Sequence, residues 1–226
     1  MNTALPEAVL FDLDGTLIDT APDFYAVINQ LLAEHQRPPI SYAFLRHYVS
    51  NGARAMIGAA FELAEQDDLY DQLHPRMLEL YLQHLGVDTK PFPGIPSLLD
   101  WLGEQQIPWG IVTNKPECYT TPLMRGLDLQ PPPGTVICPD HVRDKKPHPE
   151  ALFLACKELN CSPERSIYIG DHARDIEAGR RAGMQTIAVS YGYLSEGDDI
   201  NSWQSDFQAH HANEIKPILE TLYSNR

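Results

Sequence analysis

The sequence predicts an α/β protein, with a Rossmann-like parallel sheet core and an inserted all-helical cap domain. Short apolar runs in it are continuous rather than alternating, which is typical of parallel strands covered on both faces. Segments with helical periodicity separate the later runs, and such alternation indicates right-handed crossovers within one sheet. A block of helical patterns directly after the first run indicates the inserted cap.

The elements of the core follow from these patterns. The predicted strands are Ala8–Phe11, Ile107–Val112, Thr135–Cys138, Ser166–Ile169, Thr186–Val189 and a weaker run at Asp206–His210. The predicted core helices are Ile95–Gln105, Glu117–Gly126, Pro149–Leu159, Ala173–Ala182 and Asn213–Tyr223. They place the catalytic core at residues 1–17 and 89–226.

The cap is predicted at residues 18–88, and no strand is expected between 18 and 85. Its helices are predicted at Asp23–His35, Tyr42–Val49, Ala53–Glu65 and Leu69–Leu85. A helical block inserted after the first strand is most simply a cap over that strand's carboxyl end. The segment "VDTKPFPG" at 87–94 is the expected return hinge, because two prolines stiffen it.

Composition excludes several classes of function. At 226 residues with 43% hydrophobic residues, the chain can bury a proper core. Its net charge of -14 argues against general affinity for nucleic acid or anionic membranes. The first Lys or Arg is Arg37 and no apolar run reaches the length of a membrane span, so we expect a cytoplasmic protein. The sequence leaves a monomer and a homodimer both open.

Polar residues follow the predicted strands at the edge where α/β sheets bind their ligands. They are Asp12 and Asp14 after the first strand, Thr113 and Asn114 after the second, and Asp171 after the fourth. Carboxylates that converge at one edge are costly unless a cation holds them together. Oxygen ligands suit a hard ion, and Mg²⁺ is the expected one. Lys146, after the third strand, adds a positive charge that lets the cluster accept a phosphate.

The ordered segments "DLDGT", "VTNKP", "KKPHP" and "GDHARDIEAGRRAG" resemble the four motifs of the haloacid dehalogenase superfamily, in its phosphatase branch. The resemblance covers nearly the whole chain, including a helical cap after the first motif. Within the superfamily the chain resembles the phosphoglycolate phosphatase group. The segments "VSNGARAMI", "WGIVTNKP", "VICPDHV" and "YGY" resemble more particularly the bacterial N-acetylmuramic acid 6-phosphate phosphatases.

The resemblance implies roles for the core residues. Asp12 would attack phosphorus to form an aspartyl phosphate, and Asp14 would protonate the leaving alcohol and then deprotonate water. Lys146 would bridge Asp12 and the phosphate. The implied Mg²⁺ ligands are Asp12, the Asp14 carbonyl and Asp171, with Asp175 in an outer position; Thr113 and the Asn114 N–H would hold phosphate oxygens.

Two departures from the superfamily pattern stand in the fourth motif. His172 replaces a common Ser, and Arg174 replaces a common Asn. Both are expected in the muramic acid phosphatase subgroup or a similar one, rather than in the commonest phosphoglycolate pattern.

Substrate choice is expected from the cap, because the core contacts only the phosphoryl group. The resemblance places "NGAR" (51–54) over the active site, with Asn51 and Arg54 as candidate substrate ligands. An arginine there can pair with a substrate carboxylate, so a small phosphorylated metabolite that carries a carboxylate is the expected partner. Arg54 can equally be a solvent-facing residue of a cap helix.

Each motif alone has a simpler interpretation. Thr113 and Asn114 can cap a helix, Lys146 can be a surface lysine, and Asp171 and Asp175 can be helix N-terminal charges. Asp-x-Asp-Gly can also open a calcium-binding loop. However, its glycine comes too early for an EF-hand, and Asp23 stands at the closing position where an EF-hand has Glu. The order of the motifs at successive strand ends favours the catalytic interpretation.

Other functions remain as alternatives. Cys156 and Cys161 with His210 and His211 form a conceivable zinc site, although their spacing follows no standard pattern and reduced thiols are the simpler interpretation. A haloacid dehalogenase would use the same nucleophile but needs no acid or base two residues later, so Asp14 argues against that activity. A phosphosugar mutase shares the motifs, and a non-catalytic phosphometabolite sensor could use the same fold.

Overall fold

The computed structural model describes residues 5–224, and the side chains of residues 5–222. The chain divides into two compact units. The first unit contains the described residues up to Ile18, then Pro91–Gly192 and the residues from Asp199 onward. The second contains Asp19–Lys90 and Tyr193–Asp198. The domain boundaries predicted from the sequence stay a prediction beside this division.

The secondary structure alternates in the first unit and is helical in most of the second. The strands are β1 (Ala8–Phe11), β2 (Ile18–Asp19), β3 (Lys90–Pro91), β4 (Trp109–Val112), β5 (Thr135–Ile137), β6 (Ser166–Gly170), β7 (Gln185–Val189) and β8 (Phe207–Ala209). The helices are α1 (Ala21–Glu34), α2 (Tyr42–Arg46), α3 (Gly52–Phe61), α4 (Tyr70–His84), α5 (Ile95–Glu104), α6 (Glu117–Leu127), α7 (Glu150–Leu159), α8 (Ala173–Arg181) and α9 (Ile215–Ser224).

Within residues 5–224 the larger sheet has six strands, in the order β5-β4-β1-β6-β7-β8. Every neighbouring pair is parallel, so the predicted fold class is confirmed. β1 lies between β4 and β6, and Val9 is opposite both Trp109 and Ile167. The strand order reverses here, which is where ligands bind in open α/β sheets. The carboxyl ends of β1, β4 and β6 are therefore neighbours.

The core of the first unit forms because its strands are apolar on both faces. All four residues of β1 are fully buried. On one face, Leu152 and Ala155 of α7 pack in the same cluster as Leu10 and Val112. Complete burial of such a leucine contributes roughly 1.5–3 kcal/mol, so this packing fixes the strand ends firmly.

The segment Tyr193–Asp198 belongs to the helical unit, which the sequence did not indicate. The Tyr193 hydroxyl accepts hydrogen bonds from the backbone N–H groups of Thr20 (2.6 Å) and Ala21 (2.9 Å). Because Thr20 makes no side-chain cap, Tyr193 satisfies the first donors of α1 from far along the chain. It also donates to Asp19 over 2.7 Å.

The short strands β2 and β3 were not predicted, and two predicted helices end at least three residues early. The expectation of no strand between 18 and 85 is wrong at Ile18–Asp19, because β2 pairs with β3 in a two-stranded sheet. Two residues carry no periodicity, so the sequence pattern could not show it. The helix predicted at Ala53–Glu65 ends at Phe61, where Glu62 turns left-handed with φ of 55°. The helix predicted at Tyr42–Val49 ends at Arg46.

No helix within residues 5–224 combines the length and apolar character needed to cross a membrane.

Candidate active site

The loop after β1 carries the first two carboxylates. The Asp12 N–H donates to the Ile169 carbonyl over 2.8 Å, so Asp12 is still tied to β6 where the strand ends. Gly15 then takes φ of 84°, a left-handed conformation that favours glycine. The turn closes when the Gly15 N–H donates to the Ile18 carbonyl over 3.0 Å. Asp14 is thereby held in a fixed turn.

Lys146 is the centre of the site. Its side chain is 1% exposed, and its Nζ lies 2.8 Å from Asp12 Oδ1 and 2.8 Å from Asp175 Oδ1. The same Nζ lies 2.8 Å from the Val112 carbonyl and 2.7 Å from the Tyr168 hydroxyl. A lysine has three protons for these four oxygens. The Val112 carbonyl has two lone pairs and also accepts the Tyr168 hydroxyl proton over 2.8 Å, so the ammonium group shares its three protons among the four oxygens.

Burial and the neighbouring charges shift the pKa values of this cluster. Burial raises the pKa of Asp12 to about 6; Lys146 opposes the shift, and Asp175 adds to it. Burial disfavours the charged form of Lys146, but the Asp12 and Asp175 carboxylates outweigh it and raise the lysine pKa. Burial and the same carboxylates raise the pKa of Tyr168 well above its usual value. Lys146 is therefore a permanent cation, and Tyr168 stays neutral.

The loop after β4 holds the lysine loop in place. The Asn114 side chain donates to the Lys146 carbonyl and accepts from the Lys146 N–H, each over 3.1 Å. The Thr113 hydroxyl is buried and accepts the Lys115 N–H over 3.1 Å. The predicted phosphate ligands Thr113 and Asn114 thus lie in the loop that fixes Lys146, and their phosphate contacts stay a prediction.

The carboxylates after β6 complete an acidic group. Oxygens of Asp12, Asp171 and Asp175 all lie within 4.8 Å of one another. Asp171 is 1% exposed and Asp175 is fully buried. Three carboxylates this close repel one another unless cations are present, and Lys146 supplies only one positive charge. The donor set therefore fits a hard divalent ion held by oxygen ligands.

His172 has a structural explanation. It begins α8 as the N-cap residue, and its Nδ1 accepts the Arg174 N–H over 3.1 Å. Its own N–H donates to Asp175 Oδ2 over 3.1 Å. This reciprocal arrangement is a capping box, with a histidine in place of the usual Ser or Thr. The histidine side chain therefore caps α8, whereas the backbone N–H of residue 172, which any residue but proline would supply, holds the Asp175 carboxylate whose other oxygen contacts Lys146.

Gly192 is a site residue that the sequence analysis did not single out. A Cβ built at Gly192 would collide with the Gly15 carbonyl and with the Asp171 carboxylate. Its neighbour Tyr191 donates to the Thr16 carbonyl over 2.9 Å. The loop after β7 thus packs directly against both carboxylate-bearing loops. The "YGY" segment was the only sequence signal for it.

Lys115 was also missed. Its Nζ lies 2.8 Å from Asp14 Oδ1, and its side chain is only 6% exposed. The "TNK" order places it directly after Thr113 and Asn114, and this position beside two candidate ligands is the sequence signal for Lys115. Nothing local in the sequence shows that this lysine is buried, because its partner lies about a hundred residues away in the chain.

The candidate ligands in the second unit have partners of their own. The Arg54 guanidinium donates to the Glu65 carbonyl over 2.7 Å and stacks 3.9 Å from the Tyr70 ring centroid. Its pocket also contains Gln66 and three carboxylates, those of Asp67, Asp68 and Asp71. Asn51 donates to Ser195 Oγ over 3.0 Å. Substrate binding by Arg54 and Asn51 stays a prediction, and the carboxylates weigh against an anion at Arg54.

The cysteines form no metal-binding cluster among the described residues. Cys118, Cys138, Cys156 and Cys161 are free thiols. Among the residues that the structure describes, the groups with metal-binding geometry consist of Asp, His and Glu and contain no cysteine. The zinc alternative at Cys156 and Cys161 therefore has no support from the geometry.

Comparison with known proteins gives consistent relatives. The family model described as haloacid dehalogenase-like hydrolase matches residues 9–189. An N-acetylmuramic acid 6-phosphate phosphatase of Pseudomonas putida is 42% identical over 95% of this chain and 96% of its own. A phosphoglycolate phosphatase of Xanthomonas campestris is 40% identical over 89% of this chain and 90% of its own.

Solved structures agree in fold. A predicted phosphoglycolate phosphatase from Haemophilus somnus has a TM-score of 0.82 at 24% identity, over 96% of this chain and 99% of its own. A putative β-phosphoglucomutase from Thermotoga maritima has a TM-score of 0.76 at 24% identity, over 95% of this chain and 99% of its own.

Proposed function

Because the chain belongs to the haloacid dehalogenase-like hydrolase family and is a phosphatase, we propose that it hydrolyses a phosphomonoester through an aspartyl phosphate on Asp12. The observation that carries this proposal is the contact of Lys146 with Asp12. A buried, permanently charged lysine 2.8 Å from a carboxylate at a strand end can hold that carboxylate and a phosphoryl oxygen together.

In the first step a carboxylate oxygen of Asp12 attacks phosphorus. The bond from phosphorus to the ester oxygen breaks, its electron pair moves to that oxygen, and the Asp14 carboxyl gives it a proton. The alcohol leaves and the phosphoryl group remains on Asp12. Lys146 neutralises charge on the phosphoryl oxygens during the transfer.

In the second step water attacks the phosphorus of the aspartyl phosphate. Asp14, now a carboxylate, takes the proton from the water, and the bond between Asp12 and phosphorus breaks. The products are inorganic phosphate and the original Asp12 carboxylate, so both carboxylates return to their starting forms. A second carboxylate two residues from the first therefore serves both half-reactions.

Asp12, the Asp14 carbonyl and Asp171 would hold Mg²⁺, with Asp175 behind them. When bound, the ion supplies positive charge that shields the nucleophile from the phosphate and stabilises the transferring group. Gly192 allows the loop after β7 to pack this closely against Asp171, because a Cβ there would collide with the Asp171 carboxylate. Asp175 in addition orients Lys146, as its 2.8 Å contact indicates.

We propose a small phosphorylated metabolite as the substrate, one that carries a carboxylate. N-acetylmuramic acid 6-phosphate is the first candidate, because two of the curated relatives, at 42% and 43% identity, are phosphatases of that compound by name. 2-Phosphoglycolate is the second, from relatives at 40% identity. Thr113 and the Asn114 N–H are the proposed phosphate ligands, and Asn51 is a proposed ligand for the remainder of the substrate.

The nucleophile is tested with Asp12→Asn. The neutral amide cannot form the acyl phosphate, so turnover should fall by about a thousandfold or more while the protein stays folded. The measurement is phosphate release from both candidate substrates and from p-nitrophenyl phosphate, with circular dichroism as the folding control. Activity within about tenfold of wild type would rule out the proposed chemistry.

The same assay separates the alternatives. A mutase retains its phospho-aspartate for transfer to another hydroxyl, so it releases little free phosphate. A sensor binds the metabolite and releases none. Stoichiometric free phosphate over many turnovers distinguishes a phosphatase from both.

A further inference from the structure

We propose that Lys115 is the positioning residue for the acid and base Asp14, so that each of the two reacting carboxylates has its own lysine. This inference rests on the proposed function. Lys146 contacts Asp12, and Lys115 contacts Asp14 at the same distance of 2.8 Å. The lysines lie in different loops, one after β4 and the other in the segment that precedes α7.

Hydrogen bonds to its backbone hold Lys115 in place. Its backbone N–H donates to the Thr113 hydroxyl and its carbonyl accepts from the Thr120 hydroxyl, each over 3.1 Å. Thr113 and Thr120 are themselves buried. With both backbone groups held and 6% of its side chain exposed, Lys115 presents its ammonium group from a fixed point. Burial of an ammonium group is costly unless it is paired, and Asp14 is a partner.

Asp14 needs such a fixed point. Its side chain is 19% exposed, more than the 14% of Asp12. It must face the ester oxygen in the first step and the attacking water in the second. A carboxylate displaced by about 1 Å can lose roughly a hundredfold in rate, because proton transfer needs hydrogen-bond distance. Lys115 contacts Oδ1 and thereby fixes the orientation of the carboxyl group that transfers the proton.

The role predicts a dependence on the leaving group. The parameter kcat/KM reports the steps up to phosphoryl transfer to Asp12, in which Asp14 acts as the acid. An alkyl phosphate needs that proton, whereas p-nitrophenolate leaves without one. Poor positioning of Asp14 should therefore harm an alkyl phosphate far more than p-nitrophenyl phosphate.

The experiment compares Lys115→Met with wild type on p-nitrophenyl phosphate and on an alkyl phosphate. The alkyl phosphate is the better hydrolysed of 2-phosphoglycolate and N-acetylmuramic acid 6-phosphate. We expect kcat/KM to fall by about ten- to a hundredfold for the alkyl phosphate and by less than about threefold for the aryl phosphate. Lys115→Arg should recover most of the loss. Lys157→Met, at an exposed lysine of α7, is the matched control and should change neither.

A double-variant cycle tests the route of the effect. In the Asp14→Asn background, Lys115→Met should change kcat/KM by less than about twofold, because the residue it positions is already neutralised. Equal losses on the two substrates, or effects that multiply in the double variant, would overturn the proposal. Lys115→Gln, which keeps a hydrogen-bond donor, decides the question if thermal unfolding shows that Lys115→Met does not fold.

Failure of this inference is distinguishable from failure of the proposed function. If Asp12→Asn retains activity, the aspartyl phosphate is wrong whatever Lys115 does. If Asp12→Asn is inactive and Lys115→Met shows no leaving-group dependence, only the positioning role is wrong.

Discussion

Lys146 in the first unit and Arg54 in the second are both cations that the sequence analysis named, and they lie in opposite surroundings. Lys146 is 1% exposed and contacts four oxygens from four residues. Arg54 is exposed, donates to one backbone carbonyl and stacks on one ring. A buried cation cannot replace its partners with water, so its carboxylate partners determine what it does. An exposed cation can change partners at little cost.

The comparison indicates where the chemistry is determined. In the first unit, three neighbouring strand ends bring the reacting groups together on rigid elements. In the second, Asn51 and Arg54 lie on the surface with their contacts to Ser195 and Glu65. The reaction should therefore be sensitive to changes in the first unit, and substrate preference should depend on softer contacts in the second.

The largest effect should come from removal of the metal. Excess chelator should abolish turnover of every substrate, because Lys146 alone cannot balance the carboxylates of Asp12, Asp171 and Asp175 and an incoming phosphate. Mg²⁺ should restore activity, and Ca²⁺ should support it poorly because it takes more ligands at longer distance. The measurement is phosphate release after dialysis against chelator, with each ion added back. Full activity in excess chelator would contradict the metal role.

Lys146→Ala should follow, with losses of about a hundredfold or more that are equal on all substrates, because the phosphoryl group is common to them. The variant also leaves Asp175 buried without its cation, which should cost roughly 3–5 kcal/mol of unfolding free energy. Steady-state kinetics on an aryl and a carboxylated phosphate, with denaturant unfolding, measures both. Lys145→Ala, at the exposed neighbouring lysine, is the control. A loss confined to one substrate would contradict a phosphoryl role.

Gly192→Ala should have an intermediate effect. The new methyl group collides with the Gly15 carbonyl and the Asp171 carboxylate, so the metal side of the site must shift. Overpacking of this kind costs about 1–3 kcal/mol, and we expect a fall in kcat/KM and a higher Mg²⁺ concentration for half-maximal activity. Gly126→Ala is the matched control, because a Cβ there meets nothing within 4 Å. Identical behaviour of the two variants would show that the contact at Gly192 is unimportant.

Arg54→Ala should have the smallest effect. The sequence alone predicts a rise in KM of about ten- to a hundredfold for carboxylated phosphates. The contacts with Glu65 and Tyr70, beside further carboxylates, reduce our expectation to about threefold or less on either substrate. The ratio of KM values for a carboxylated and an aryl phosphate decides between the two. A tenfold rise confined to the carboxylated substrate would establish Arg54 as its ligand.

The sequence by itself determined the sheet, the helices and the order of the motifs. Continuous apolar runs are local signals, and Ala8–Phe11 is observed with the bounds that its pattern predicts. The rule that parallel strands align their carboxyl ends then brings Asp12, Thr113 and Asp171 to one edge, without knowledge of any contact. Two-residue strands such as β2 lie below the reach of such patterns.

Only the tertiary structure decided which groups touch. The pair of Lys115 and Asp14 joins residues 101 positions apart, and the Tyr168 hydroxyl contacts Lys146 from within an apolar strand. Gly192 matters because of what lies opposite its α-carbon, and Tyr193 because its hydroxyl caps a helix from 173 positions away. Periodicity encodes which face of an element is buried. Which side chains contact each other is set by close packing in three dimensions, and no local sequence pattern contains that information.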